Sequence, residues 1–395
     1  MSLTLPRRLA RLTLAALLLA PLALPGTAHA AVACGGPEGE DAPAQRSWAL
    51  TRLAPETAWP LSRGAGVTVA VIDSGVNGDH PILDGRVLDG RDFGFQNFQG
   101  QCDLAGHGTV VAGIIAGRDR VNQSFSGIAP DASILPLRVL DEVGFVDDPS
   151  APGRIAQAIR FAVDQEADVI NLSLQTEDTA EMRSAIAYAE ERDVVVVAAA
   201  GNLQEGQKPE NNTIYPAAYD TVLAVAGVDE AGKHVSSSVQ GPFVDITAPG
   251  FNLYGPAPTG DKFVGEAEGG TSFAAAFVSG AAALVRSYYP DMSAADVRTR
   301  LTETADAPPQ GRDNAFGFGV VNPYVSLTAV FSSKEPGPAG GITLAGEPAD
   351  PTATARLVAI WAIAIVLVLA VAMLAGAPLV RRGRRNGWRP DHNNL

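Results

Sequence analysis

Val67–Val76, VTVAVIDSGV, is the stretch on which the fold turns. From Val67 to Ile72 no position is charged, and β-branched residues dominate. A run without a polar face suits a strand buried on both sides, as in a parallel sheet covered by helices. It stops at Asp73-Ser74-Gly75, a turn signal. Five later runs share this character: ASILPLRVL (132–140), DVINLSL (168–174), VVVVAAAG (194–201), VLAVAGV (222–228) and VDITAPG (244–250). Helical patterns alternate with them: GTVVAGIIAG (108–117), GRIAQAIRFAVDQEA (153–167) and AEMRSAIAYAEER (180–192). Such alternation predicts right-handed crossovers and an α/β fold, with a central, mostly parallel sheet and helices on both faces.

In an open α/β sheet, ligands bind beyond the carboxyl ends of the strands. Polar residues at those ends are therefore the candidates. Asp73 closes the first run. Asn171 and Ser173 lie near the end of DVINLSL, and Asn202 follows VVVVAAAG. His107 stands just before a helical pattern, between Gly106 and Gly108. Ser272, in GGTSFAAAF (269–277), precedes another. Taken singly, each has a plain explanation: a turn Asp, a gap-filling His, a helix-capping Ser. Taken together they supply an acid, a base and a hydroxyl. A serine hydroxyl needs a base to become a nucleophile. His107 can serve near neutral pH, and Asp73 would hold its tautomer. Ser272 at a helix start offers backbone N–H groups to a developing oxyanion, and Asn202 offers a second donor.

The motifs VAVIDSGV, GHGTVVAGIIAG, AAAGN and GTSFAAAFVSG, in that order, resemble the subtilisin-like serine proteases over roughly residues 50 to 330. The resemblance implies the three-layer subtilisin-like fold, a catalytic triad of Asp73, His107 and Ser272, and an oxyanion hole of Asn202 and the Ser272 N–H. It also implies Ser173 and Leu174 as the substrate strand, with Ala199, Ala200 and Gly201 as one wall of the pocket for the residue before the cut. Three departures stand out. Ala276 stands where the family usually has Pro, and Phe277 follows it. Phe273 replaces the Met common in secreted members. Gln175 stands where many members have Gly. No acidic cluster commits the sequence to a metal; Asp141, Asp147 and Asp148 read as a solvated loop. His80 and His234 have no metal-site pattern, and no cofactor motif is found.

The chain's 395 residues carry a net charge of −14, without a basic run outside the two ends, which argues against a nucleic-acid partner. Residues 1–30 read as a secretory signal: Arg7, Arg8 and Arg11, a short apolar run, then Ala28-His29-Ala30 as a cleavage site. Cleavage before Cys34 with lipid on that cysteine is a second reading. The sequence has two cysteines, Cys34 and Cys102. An oxidising compartment favours their pairing, which would stabilise by about 4 kcal/mol in the chain-entropy model; two free thiols are the alternative.

Residues 31–60 form an arm whose RSWALTRLAPETAWPL segment packs on a peptidase domain of residues 61–331. A Pro-, Gly- and Ala-rich linker (332–356) leads to an uncharged run, 357–380, and then to Arg381–Arg385. A helix of that length reaches roughly 36 Å, enough to cross a bilayer core. The arginines keep the tail (381–395) cytoplasmic and the domain outside. Signal, arm, GQCDLAGHGT, YPAAYDTVLAVAGV, linker and C-terminal helix together resemble the mycosins, the membrane-anchored proteases of type VII secretion systems. That likeness implies an exported protein substrate, the secretion system's membrane components as partners, a plasma-membrane location, and support for the disulfide. A scaffold role in the secretion complex is the alternative function.

Overall fold

A computed structural model describes residues 35–42, 44–96, 98–120, 124–141, 148–203, 212–266, 270–331 and 353–385. The chain divides into two compact units, Met1–Val330 and Phe331–Leu395. In the first, VTVAVID forms β1 (Thr68–Asp73). It is followed by β2 (Arg91–Asp92), β3 (Ser133–Arg138), β4 (Val169–Leu172), β5 (Val195–Ala199), β6 (Val222–Val228) and β7 (Ile246–Pro249). These strands make a seven-stranded sheet in the order β2-β3-β1-β4-β5-β6-β7. Every pairing is parallel. On one side of β1, Asp73 lies opposite Arg138; on the other, Val71 lies opposite Asn171. The chain goes from β1 to one side and then to the other, so the strand order reverses beside Asp73. A crevice belongs at that point.

The strand period of two sorts the apolar side chains between two cores. Val69, Val71, Val169, Val195, Val197 and Val225 share one core with α2 (His107–Ala116) and α5 (Thr271–Tyr288). Ala70, Ile72, Ile170, Leu172, Val196 and Ala198 share the other with α3 (Ala151–Asp164) and α4 (Ala180–Glu191). Helix α5 is buried almost throughout its length. Its small residues, Ala274–Ala276 and Ala281–Ala283, let the backbone lie close over the strands. Side-chain caps start four of the described helices, among them α4, where Thr179 accepts from Met182 N–H, and α6 (Ala294–Glu303), where Ser293 accepts from Asp296 N–H. Helix α7 (Pro323–Thr328) ends the unit.

The arm behaves as its apolar residues suggest. Helix α1 (Trp48–Leu53) buries Ala49, Leu50 and Leu53. A second, smaller sheet is among the features not foreseen in the sequence. Strands β8 (Leu253–Pro256) and β9 (Phe263–Glu266) form a separate antiparallel pair, too short and too rich in Gly and Pro to be recognised as strands. The arm extends this pair: Glu40 and Phe263 exchange two backbone hydrogen bonds, both of 2.8 Å. The predicted signal segment (1–30), Cys34 and most of the predicted linker lie outside the described residues.

In the second unit, α8 (Ala353–Arg385) runs on through Pro378 and ends in Arg382, Arg384 and Arg385. Its segment Ile365–Arg385 is long and apolar enough to cross a membrane, by length and composition.

His80 is buried against β9. Ile82 N–H donates to Nδ1 at 3.3 Å, so Nε2 carries the proton donated to Lys262 O at 2.8 Å. This arrangement holds a neutral ring, and burial pushes the imidazole below its ordinary value of 6.5. The unfolded chain therefore takes up a proton below about 6.5 that the folded chain resists. Stability should be full above that pH and decline as pH falls towards the lowered folded value. Thermal melts from pH 7.5 to 5 should show this decline, and His80→Gln should make it shallower. His234, also pushed down by burial, supplies a remaining part.

Candidate active site

Asp73 ends β1 with its carboxylate fully buried. Its Oδ1 accepts from the Ser74 N–H at 2.8 Å and faces His107 Nδ1 at 2.7 Å. A carboxylate can only accept, so Nδ1 carries the ring proton and Nε2 is left with its lone pair. That is the tautomer a general base requires. His107 opens α2, and the position after it must be glycine. A Cβ on Gly108 would lie 2.0 Å from Gly75 O and 3.2 Å from the Asp73 Cβ. The start of α2 can meet the end of β1 because no side chain intervenes.

Ser272 is the second residue of α5, so its N–H has no acceptor within the helix. A chain of side-chain bonds holds this helix start to β4. Ser279 Oγ donates to Asn171 Oδ1 at 2.9 Å, Asn171 Nδ2 to Ser173 Oγ at 2.9 Å, and Ser173 Oγ to Ser272 O at 2.7 Å. Ser272 Oγ in turn donates to Ser173 O at 3.3 Å. The next ring, Phe273, stacks on His107 with centroids 5.6 Å apart and planes 26° apart. The starts of α2 and α5 therefore face each other. Phe273, read above as a departure from the family pattern, packs the imidazole. Ala276, read above as a departure from the family's Pro, and Phe277 after it continue an unbroken helix.

Asn202 follows β5. Its Oδ1 accepts from Thr271 N–H at 3.1 Å and from Thr271 Oγ1 at 3.2 Å, which fixes the amide and leaves Nδ2 as the available donor. The amide lies against Gly270, whose φ of +141° and lack of Cβ are both required. A Cβ there would come within 2.7 Å of Nδ2. Ser173, bonded to Ser272, and Leu174 follow β4. Ala199 ends β5, and Ala200 and Gly201 follow it, with Gly201 N–H donating to Thr271 Oγ1 at 3.1 Å. Beyond Leu174, Gln175 Oε1 and Thr176 Oγ1 are buried without a hydrogen-bond partner among the described residues.

Asp141 pairs with Arg138, and Asp148 with Arg154 at 2.6 Å. The Arg154 guanidinium, with Ser150, lowers the Asp148 carboxyl to about 2. Asp147 lies outside the described residues. Cys102 is buried and disulfide-bonded, while its predicted partner Cys34 lies outside the described residues. Gly36 of the arm sits against Pro258 and the Asp103 carbonyl. Ser74, Asp103 and Thr109, absent from the candidate residues above, lie buried beside Asp73 and His107. A carboxylate four residues before His107, in GQCDLAGHGT, was the available signal.

Residues 64–319 match the family model described as the Subtilase family. Mycosin-4 of Mycobacterium tuberculosis is 35% identical over 390 residues, covering 88% of this chain and 85% of that protein. The solved structure of MycP3 protease from the type VII (ESX-3) secretion system superposes with a TM-score of 0.66 at 34% identity, covering 73% of this chain and 91% of that one. A chain in the structure of an intact ESX-5 inner membrane complex gives a TM-score of 0.64 at 29% identity, covering 87% of this chain and 98% of that one. With its parallel sheet, its Asp–His contact and a serine opening the buried helix, this chain belongs to the subtilase family of serine endopeptidases, in the company of the mycosins.

Proposed function

We propose that the chain is a membrane-anchored endopeptidase of a type VII secretion system, acting on exported protein through Asp73, His107 and Ser272. The contact of 2.7 Å between Asp73 Oδ1 and His107 Nδ1, at the rim where Ser272 opens α5, carries the reading. Ser272 Oγ attacks the scissile carbonyl as His107 Nε2 takes its proton. Asp73 holds the imidazolium that forms, and His107 then protonates the leaving amine. Asn202 Nδ2 and the Ser272 N–H face the oxyanion. Water deacylates the enzyme by the reverse sequence. Substrate runs along Ser173 and Leu174, and the residue before the cut lies beside Ala199, Ala200 and Gly201.

The peptidase domain (61–331) works on the outer side of the plasma membrane. Residues 1–30 direct export, 332–356 link the domain to the span at 357–380, and 381–395 stay in the cytoplasm. The length and apolar character of α8, with its terminal arginines, support this arrangement. A Cys34–Cys102 disulfide holds the arm (31–60) beside the turn that bears His107, in keeping with the contact of Gly36 with the Asp103 carbonyl. Association with the secretion system's membrane components is a second role, favoured by the likeness to a chain of the ESX-5 inner membrane complex. In that role the protein is a scaffold subunit, for which proteolysis is dispensable.

Fluorophosphonate labelling of intact cells tests topology and nucleophile together. The wild type should be labelled from outside, and Ser272→Ala should not. Wild-type protein that takes up no probe after solubilisation would refute the peptidase reading, whereas secretion that persists with Ser272→Ala would separate the scaffold role from catalysis. Asn202→Ala should lower kcat by about 10²–10³-fold, the scale known for loss of one such donor in a subtilisin, with little change in KM.

A further inference from the structure

Asp103 is a second fully buried carboxylate beside the proposed triad, and the hydrolytic steps leave it without a task. Its Oδ1 accepts from Gly106 N–H at 2.7 Å and from Ser74 Oγ at 2.8 Å. Its Oδ2 accepts from Thr109 N–H at 2.8 Å and from Thr109 Oγ1 at 2.6 Å. The bonds to Gly106 and Thr109 brace the turn that carries His107, and a purely structural carboxylate would stop there. The bond to Ser74 is different. Ser74 is the residue after Asp73, and its hydroxyl has one proton and two anionic acceptors within reach. Asp103 Oδ1 is at 2.8 Å and Asp73 Oδ1 at 3.2 Å. The same hydroxyl accepts from Gly108 N–H at 3.0 Å, which orients it between the two.

We propose that Asp103 is a positioning residue that sets the basicity of His107, by drawing the Ser74 proton away from Asp73 and placing a second negative charge behind it. Asp73 is then left with the Ser74 N–H and the imidazole as the donors to its Oδ1. A less solvated Asp73 holds the imidazolium more strongly, and the extra anion adds to that hold. Burial pushes the Asp103 carboxyl upward, and the charge on Asp73 adds to this, so the two carboxylates are electrostatically coupled. Asp73 on β1 and His107 on α2 are the titratable groups facing the cluster. The arm and the loop after β8 approach it with Gly36, Pro37 and Pro258, which carry no charge.

This inference rests on the triad reading, and the experiment separates the two. The rate of fluorophosphonate labelling of the full-length, detergent-solubilised protein is measured against pH. A wild type that fails to label ends the triad reading; a wild type whose rate rises along an acid limb reports the protonation of His107. With Asp103→Asn, the added charge is lost and the Ser74 hydroxyl is free to turn to Asp73. The acid limb should then move to lower pH by roughly half to one unit. Below the limb this is about a three- to tenfold faster reaction relative to each protein's own plateau. A folded Asp103→Asn protein with lower thermal stability but an unmoved limb would show that Asp103 only braces the turn, and would overturn the proposal. If Asp103→Asn does not fold, Ser74→Ala decides, whatever its effect on the maximal rate. A hydroxyl that already donates to Asp103 can be removed without moving the limb. A limb that moves to higher pH would mean that Ser74 donates to Asp73 instead, and the proposal fails.

Discussion

The close approach of two backbones, Gly108 against the Gly75 carbonyl, is the constraint on which the site depends. Asp73 reaches His107 across 2.7 Å because the first turn of α2 sits directly over the end of β1. A single methyl group at residue 108 would overlap the Gly75 oxygen, at 2.0 Å. Helices over a parallel sheet usually stand off by the thickness of their side chains. Here the contact must be closer than that, and the sequence provides glycine on both sides of it. The carboxylate consequently sits in a dry, fully buried position, where its interaction with an imidazolium is far stronger than in water.

The same logic governs the other end of the site. Ser272 has little of its own to fix it, because α5 begins at a glycine with no side-chain cap. Its position is set from the interior by the sequence of bonds from Ser279 through Asn171 to Ser173. These buried polar groups are all satisfied, which is the condition under which such a network fixes geometry rather than weakening a core. Asn202 is held in the same manner, its oxygen occupied by Thr271 so that its nitrogen stays available.

Much of this was legible in the residues. The long β-branched runs became β1 and β3 to β7 because burial on both faces leaves no alternative for such sequences. Asp73, Ser173 and Asn202 could be picked out because a buried strand displays polar chemistry only where it ends. The strands that the sequence does not mark share a common cause. β2 is two residues long, and β8 and β9 contain Gly and Pro; each is stabilised by what it packs on rather than by its own pattern. The sequence shows an aspartate four residues before His107, but its meeting with Ser74, 29 positions away along the chain, is a tertiary event. The arm's pairing with β9 is likewise a tertiary event.

The strand order has a consequence for how the molecule is assembled. β1 is the first strand along the chain yet lies inside the sheet, between β3 and β4, and α5, which bears Ser272, comes from residues 271–288. Contacts so distant along the chain raise the contact order, which slows folding. The seating of α5 over the sheet cannot precede residues 271–288, far along the chain from the strand that ends in Asp73.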